Sequence, residues 1–163
     1  MGTLLRVLAA ALILPAVAFG GAAGAWPPEL PMEVRVLVIQ YFPVSGDRVD
    51  RSVTGDWGDS LEATRAKCAA QTKAVIQALQ EGSRYHAYSN EAAKPSLAYK
   101  ILDVLEFLEP LPTVGPPGKK GAMTDYNQIM ARVNIKQWVE EKGVKEVWIW
   151  GYHGGVVGLW ESN

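Results

Sequence analysis

Hydrophobic positions along this chain follow two different habits. Residues 34–42, VRVLVIQYF, form an almost unbroken apolar and β-branched run closed by Pro43 and by the turn residues Ser45, Gly46 and Asp47. Val144, Val147, Trp148, Ile149 and Trp150 likewise leave no polar face before Gly151. Runs of this kind predict strands buried on both sides, as the central strands of parallel sheets are. Between them, Leu61, Cys68, Thr72, Val75, Ile76 and Leu79 recur at helical spacing after a capping oxygen at Asp59 or Ser60, and predict a helix ending near Gly82. Tyr126, Ile129, Met130, Val133, Trp138 and Val139 predict a second helix, capped by Thr124 and stopped by Gly143. Residues 97–108, LAYKILDVLEFL, fit both periods: Leu97, Ile101, Val104, Leu105 and Leu108 make a helical stripe, while Tyr99, Ile101, Leu105 and Phe107 alternate. Strand is the preferred reading. Four prolines and three glycines within 110–121 make the following stretch a surface loop.

The order strand, helix, strand, helix, strand predicts an α/β fold: a small sheet with parallel central strands and helices packed on it, joined by right-handed crossovers. Such a sheet usually has more than three strands, yet Leu159 and Trp160 follow the last one with little chain left. The expectation is therefore a sheet incomplete at the C-terminus. Residues 34–163 are read as a single α/β domain, the N-terminal part of a longer protein or one completed by a partner chain.

The first 25 residues have another logic. Arg6 precedes an apolar run that ends in the small triplet Ala23-Gly24-Ala25, the three-part layout of a secretory signal peptide. The alternative is an uncleaved anchor, but Pro15, Gly20, Gly21 and Gly24 interrupt the run. Cleavage after Ala25 leaves an extended, proline-rich lead-in over 26–33 and a secreted or periplasmic protein with no stable membrane insertion. Composition agrees with a packed core, at 48% hydrophobic and 20% charged residues. A formal charge of −1 offers no basic excess for a nucleic-acid backbone, which removes that partner class. The lone Cys68 allows no internal disulfide, and its place on the first helical stripe reads as a buried small hydrophobe.

Four strings are distinctive: GSRYHAY (82–88), KPSLAYK (94–100), TDYNQIMARVN (124–134) and VKEVWIWGYH (144–153), with ESN at the end. Together they resemble a family of secreted bacterial proteins of uncharacterised activity. The resemblance covers most of the chain after the leader. It implies export and a chain that continues past ESN into a histidine-rich stretch, and it implies no activity. Two departures stand out: the apolar glycine stretch 154–158 after His153, and Lys136 with Gln137 inside the second helix pattern.

Ligands of α/β sheets sit outside the carboxyl ends of the strands, so Tyr152 and His153 come first among candidate residues. His153 with Glu161 can supply acid–base or metal-binding groups, with Asp56 assisting; a histidine bonded to backbone at a strand end is the ordinary alternative. His86 falls after a helix, toward the opposite end of a simple β-α-β unit. Asp47, Asp50, Asp56 and Asp59 lack the regular spacing of a calcium loop and read as turn and capping residues. Among six tryptophans, Trp57 and Trp160 are the two placed to be exposed and stack on a sugar. No phosphate loop, nucleophile elbow or zinc signature occurs. Two function classes stay open: a hydrolase acting on an extracellular or cell-wall substrate through His153 and Glu161, and a non-catalytic glycan- or surface-binding module using Trp57, Tyr152 and Trp160. Metal, cofactor, reaction and oligomeric state are left undetermined. N-terminal sequencing of exported material is expected to begin at Trp26; an intact Met1 in a membrane fraction contradicts the leader.

Overall fold

The structure, a computed structural model, describes residues 31–55, 58–84, 92–115, 122–152 and 157. Its centre is a parallel sheet in which β1 (Met32–Tyr41) lies between β4 (Leu97–Phe107) and β7 (Glu146–Trp150). Two short antiparallel pairs flank the strand ends: β2 (Val44–Ser45) with β3 (Arg48–Val49), and β5 (Thr113–Val114) with β6 (Met123–Thr124). The helices are α1 (Arg51–Thr54), α2 (Leu61–Gly82), α3 (Tyr126–Arg132) and α4 (Ile135–Lys142). The mixed α/β class and the parallel central sheet are as the pattern predicts. Among the described residues no helix is long and apolar enough to cross a membrane.

Strand side chains alternate between faces, and on β1 both sets are apolar. Leu37, Ile39 and Tyr41 pack with Ile129 and Val133 of the α3 region, while Val34, Val36 and Val38 pack with Leu97, Tyr99, Trp148 and Trp150. Helices thus cover both faces, α3 and α4 one side and α2 the other. From Val36 onward β1 is wholly buried, as the run VLVIQYF requires. The second strand expected to be central, β7, pairs on one side only among the described residues. Accordingly Trp148 and Trp150 are half-buried, where full core positions are expected from the sequence.

The ambiguous segment 97–108 is strand, and the reason for its double pattern is a bulge. Val36 pairs with Ile101 but Leu37 pairs with Asp103, so Leu102 is an extra residue on β4. Before it, Leu97, Tyr99 and Ile101 share the face of Val34 and Val36; after it, Leu105 and Phe107 share the opposite face with Ile39 and Tyr41. One inserted residue reverses the parity of everything that follows.

The second predicted helix is two. Asn134 sits at φ 49°, in the left-handed region that asparagine tolerates, and separates α3 from α4. The cap of α3 is Asp125, whose carboxylate accepts from the Gln128 amide at 2.9 Å, one residue after the expected Thr124. Gly143, at φ 69°, ends α4, and the Val144 amide reaches back to the Trp138 carbonyl at 3.1 Å. Arg35 of β1 donates to the Lys142 carbonyl at 3.0 Å, satisfying a helix-end acceptor where a cation is favoured. In α2 the cap is Ser60, which accepts from Ala63 at 3.1 Å, and Ser83 closes the far end by accepting from the amides of Ser96 and Leu97.

Because β1 is dry on both faces, Ile39→Ala is expected to destabilise the fold by about 2–5 kcal/mol. Val104→Ala, at a β4 position that is 45% exposed, is expected to cost about 1 kcal/mol or less. Denaturant midpoints of the two variants check this; equal losses contradict the assignment of β1 as the central strand.

Candidate functional site

The α2 face of the sheet is finished differently at its two ends. Toward the amino end, Glu146 of β7 accepts from the Trp148 indole at 2.9 Å and from the Tyr99 hydroxyl at 3.3 Å, spanning from β7 to β4 across Val36. The Tyr99 and Trp148 rings approach to 5.8 Å between centroids. Burial, with Glu146 adding to it, raises the Tyr99 pKa above its usual range. This network closes the sheet with side chains of its own strands.

Toward the carboxyl end that closure stops. The next rows read Val104, Val38, Trp148 and then Glu106, Gln40, Trp150 from β4 through β1 to β7. Over them passes α2, and its buried residues are small or short: Thr64, Cys68 and Thr72. Thr64 and Thr72 donate their hydroxyls to the Ser60 and Cys68 carbonyls at 3.0 and 2.8 Å, so they enter the interface without stranded polar atoms. Burial raises the Cys68 thiol above its ordinary pKa, which keeps it protonated and inert.

Small side chains under α2 leave space on each flank of the helix. On the β4 side is a groove of about 580 Å³, floored by Val38, Gln40, Ile101 and Val104 and walled by Ala69, Thr72 and Ile76. Its charged rim is Arg65, Lys73 and Glu106. Arg65 grips Glu106 with two nitrogens, Nε to Oε2 at 2.7 Å, and pins the first turns of α2 to β4. Gln40 is only 7% exposed. Among the described residues its side chain has no hydrogen-bond partner, and its amide is not sealed from water but opens into the groove. On the β7 side, Val75 and Leu79, each 39% exposed, face Trp148, Ile149 and Trp150 across a smaller cleft of about 340 Å³. The Trp150 indole N–H is buried there without an acceptor.

On the opposite face, the carboxyl end of the sheet is packed shut. Tyr41 lies 5.0 Å from Phe107 between ring centroids, and Arg132 stacks on Phe107 at 3.9 Å while pairing with Glu109. Burial raises the Tyr41 pKa and the neighbouring Arg132 charge opposes that rise. Tyr152, the candidate nearest the end of β7, is buried in the same core cluster, and its hydroxyl accepts from the Leu111 amide at 3.1 Å. Its place is thus a pin between the loop after β4 and the end of β7. Gly151 beside it lets Leu111 pack close, since a Cβ there would meet Leu111 Cδ1 at 2.6 Å and force that side chain to shift.

His153, Glu161, Trp57, Trp160 and Asp56 lie outside the described residues, as does His86. Of the other acidic residues, Asp50 caps α1 through the Ser52 amide at 2.8 Å, and Ser52 lowers its pKa. Among the described residues no group of three or more His, Cys, Asp or Glu side chains is placed to hold a metal ion. The groove itself is not among the sequence candidates. Its signals were present as Gln40, the one uncharged polar residue in a strand otherwise made for a dry interior, and as Arg65, Ala69, Thr72, Lys73 and Ile76 at helical spacing. The chain matches no protein-family model, no curated protein and no solved structure.

The buried tyrosines make stability sensitive to alkali. Tyr41 and Tyr152 both carry pKa values raised above the ordinary 10.0, so the folded state holds their protons more tightly than the unfolded chain does. The stability they contribute is whole below about pH 10 and is lost as pH climbs from there toward the folded values. Denaturant midpoints are expected to fall above that pH, with a shallower slope in Tyr152→Phe; identical slopes contradict the burial of this hydroxyl.

Proposed function

We propose that this chain is an exported, non-catalytic binding module, and that its site is the groove between α2 and the β1/β4 face, holding a small molecule with an apolar body and a polar head. The observation that carries this reading is Gln40, a carboxamide without a partner on the floor of an apolar groove. The amide opens into the groove, where a ligand can replace its water with a direct hydrogen bond, a net gain of about 0.5–1.5 kcal/mol for a neutral partner. The groove has the size and lining of a small-molecule site, mostly apolar with a few polar groups brought together. It also lies at the carboxyl end of parallel strands, where loops and helix starts leave ligands room. Export is supported by the leader pattern and by the resemblance to secreted proteins. The alternative chemistry, hydrolysis through His153 and Glu161, concerns residues outside the described ones, and no described contact favours it.

The test is titration with a neutral naphthylamine dye whose emission rises in dry surroundings. Saturable binding is expected in the wild-type protein. Ala69→Phe, which places a ring in the groove from an exposed helix position, is expected to weaken it by at least about ten-fold, or roughly 1.4 kcal/mol, with an unchanged melting temperature. Absence of saturable binding, or full binding in Ala69→Phe, overturns the proposal.

A further inference from the structure

We infer that the ligand class of this groove is a monocarboxylate with an apolar chain or ring, its carboxylate set between Gln40 and Lys73. The inference rests on the groove being a binding site, and it adds the chemistry of the head group. Three observations lead to it.

Charge is the first. Arg65 and Glu106 hold each other through two hydrogen bonds and cancel. Lys73, on the same rim, has no carboxylate partner among the described residues. One positive charge is therefore left at the groove. A monoanion balances it; a neutral head leaves it unmatched, a cation opposes it, and a dianion overshoots it.

Hydrogen bonding is the second. A carboxylate is acceptor-only, with room for several donors. The Gln40 amide offers two N–H groups from the floor and the Lys73 ammonium three from the rim, and neither has another described partner. A charge-assisted bond to such an oxygen is stronger than a neutral one, the more so beside an apolar wall.

The third is the body of the groove. Val38, Ile76, Ile101 and Val104 give it an apolar lining, with Ile101 and Val104 partly open to solvent. A chain or ring laid there removes apolar area from water, which favours an amphipathic acid over a small polar one such as acetate.

Competition against the neutral dye decides the matter, using decanoate, decanol, decylamine and decyl phosphate on the full chain. Decanoate is expected to displace the dye at a concentration about ten-fold below decanol, with decylamine weakest. Lys73→Gln, at an exposed position, is expected to erase the advantage of decanoate and leave decanol unchanged. Glu106→Gln frees Arg65 and is expected to tighten decanoate several-fold. Equal displacement by decanoate and decanol overturns the carboxylate assignment while the binding-module reading stands, because both still compete. Tighter binding of decyl phosphate, or an unchanged preference in Lys73→Gln, overturns it too. A dye that never binds, or that binds undiminished in Ala69→Phe, removes the underlying site instead.

Discussion

Every layer of this fold is arranged around one strand whose two faces must both be dry. From Val36 to Gln40, β1 bonds to parallel neighbours on both edges, so this stretch of backbone is satisfied within the sheet. Its side chains then divide by parity into two apolar sets, and each needs cover. On one face α3 and α4 supply large side chains, and closure is complete as far as Tyr41. On the other face cover comes from the strands themselves at the amino end and from α2 at the carboxyl end. Different solutions on the two faces explain why one end of one face is open.

The bulge at Leu102 is the device that makes the second solution workable. Without it, Glu106 would fall on the face of Ile39 and Phe107 would turn toward α2. With it, Phe107 joins Tyr41 and Arg132 in the closed core, and Glu106 meets Arg65 on the helix. A single extra residue therefore sorts an aromatic to the packed side and a charge to the groove side. Ion pairs as exposed as Arg65 with Glu106 are worth about 0–1 kcal/mol, so the pair serves to fix where α2 starts more than to stabilise it.

What could be read from the sequence follows the same division. Elements whose pattern reflects two-sided burial or a local cap were legible: β1, the strand character of 97–108, the Ser60 start of α2 and the Gly143 stop of α4. Elements set by a backbone irregularity were not. Leu102 is an ordinary leucine until register is known, and Asn134 inside a helical stripe gives no sign that its φ is positive. The groove has no signature among the titratable and aromatic residues at strand ends, because Gln40 and Lys73 carry chemistry only once α2 lies across β1. Tyr152 lies at the end of β7 as its position implies, but it is buried in the core, where its hydroxyl accepts from Leu111, distant in sequence.

The composition of α2 ties stability to the open groove. A helix meant to seal a sheet face places leucine or isoleucine at its line of closest approach, whereas α2 has Thr64, Cys68 and Thr72 there, with Val75, Ile76 and Leu79 displaced toward the flanks. Short side chains let the helix come near while giving little dispersion contact, so the helix is held by its ends: Ser60 and Arg65 at one, Ser83 at the other. Anchoring at the ends leaves the middle free of large side chains, and an apolar molecule entering the middle completes the layer that the helix alone leaves thin. In the proposed arrangement a bound ligand would take the packing role that Ile129 and Val133 have on the opposite face, and the same residues that keep α2 from sealing the sheet would give it its place.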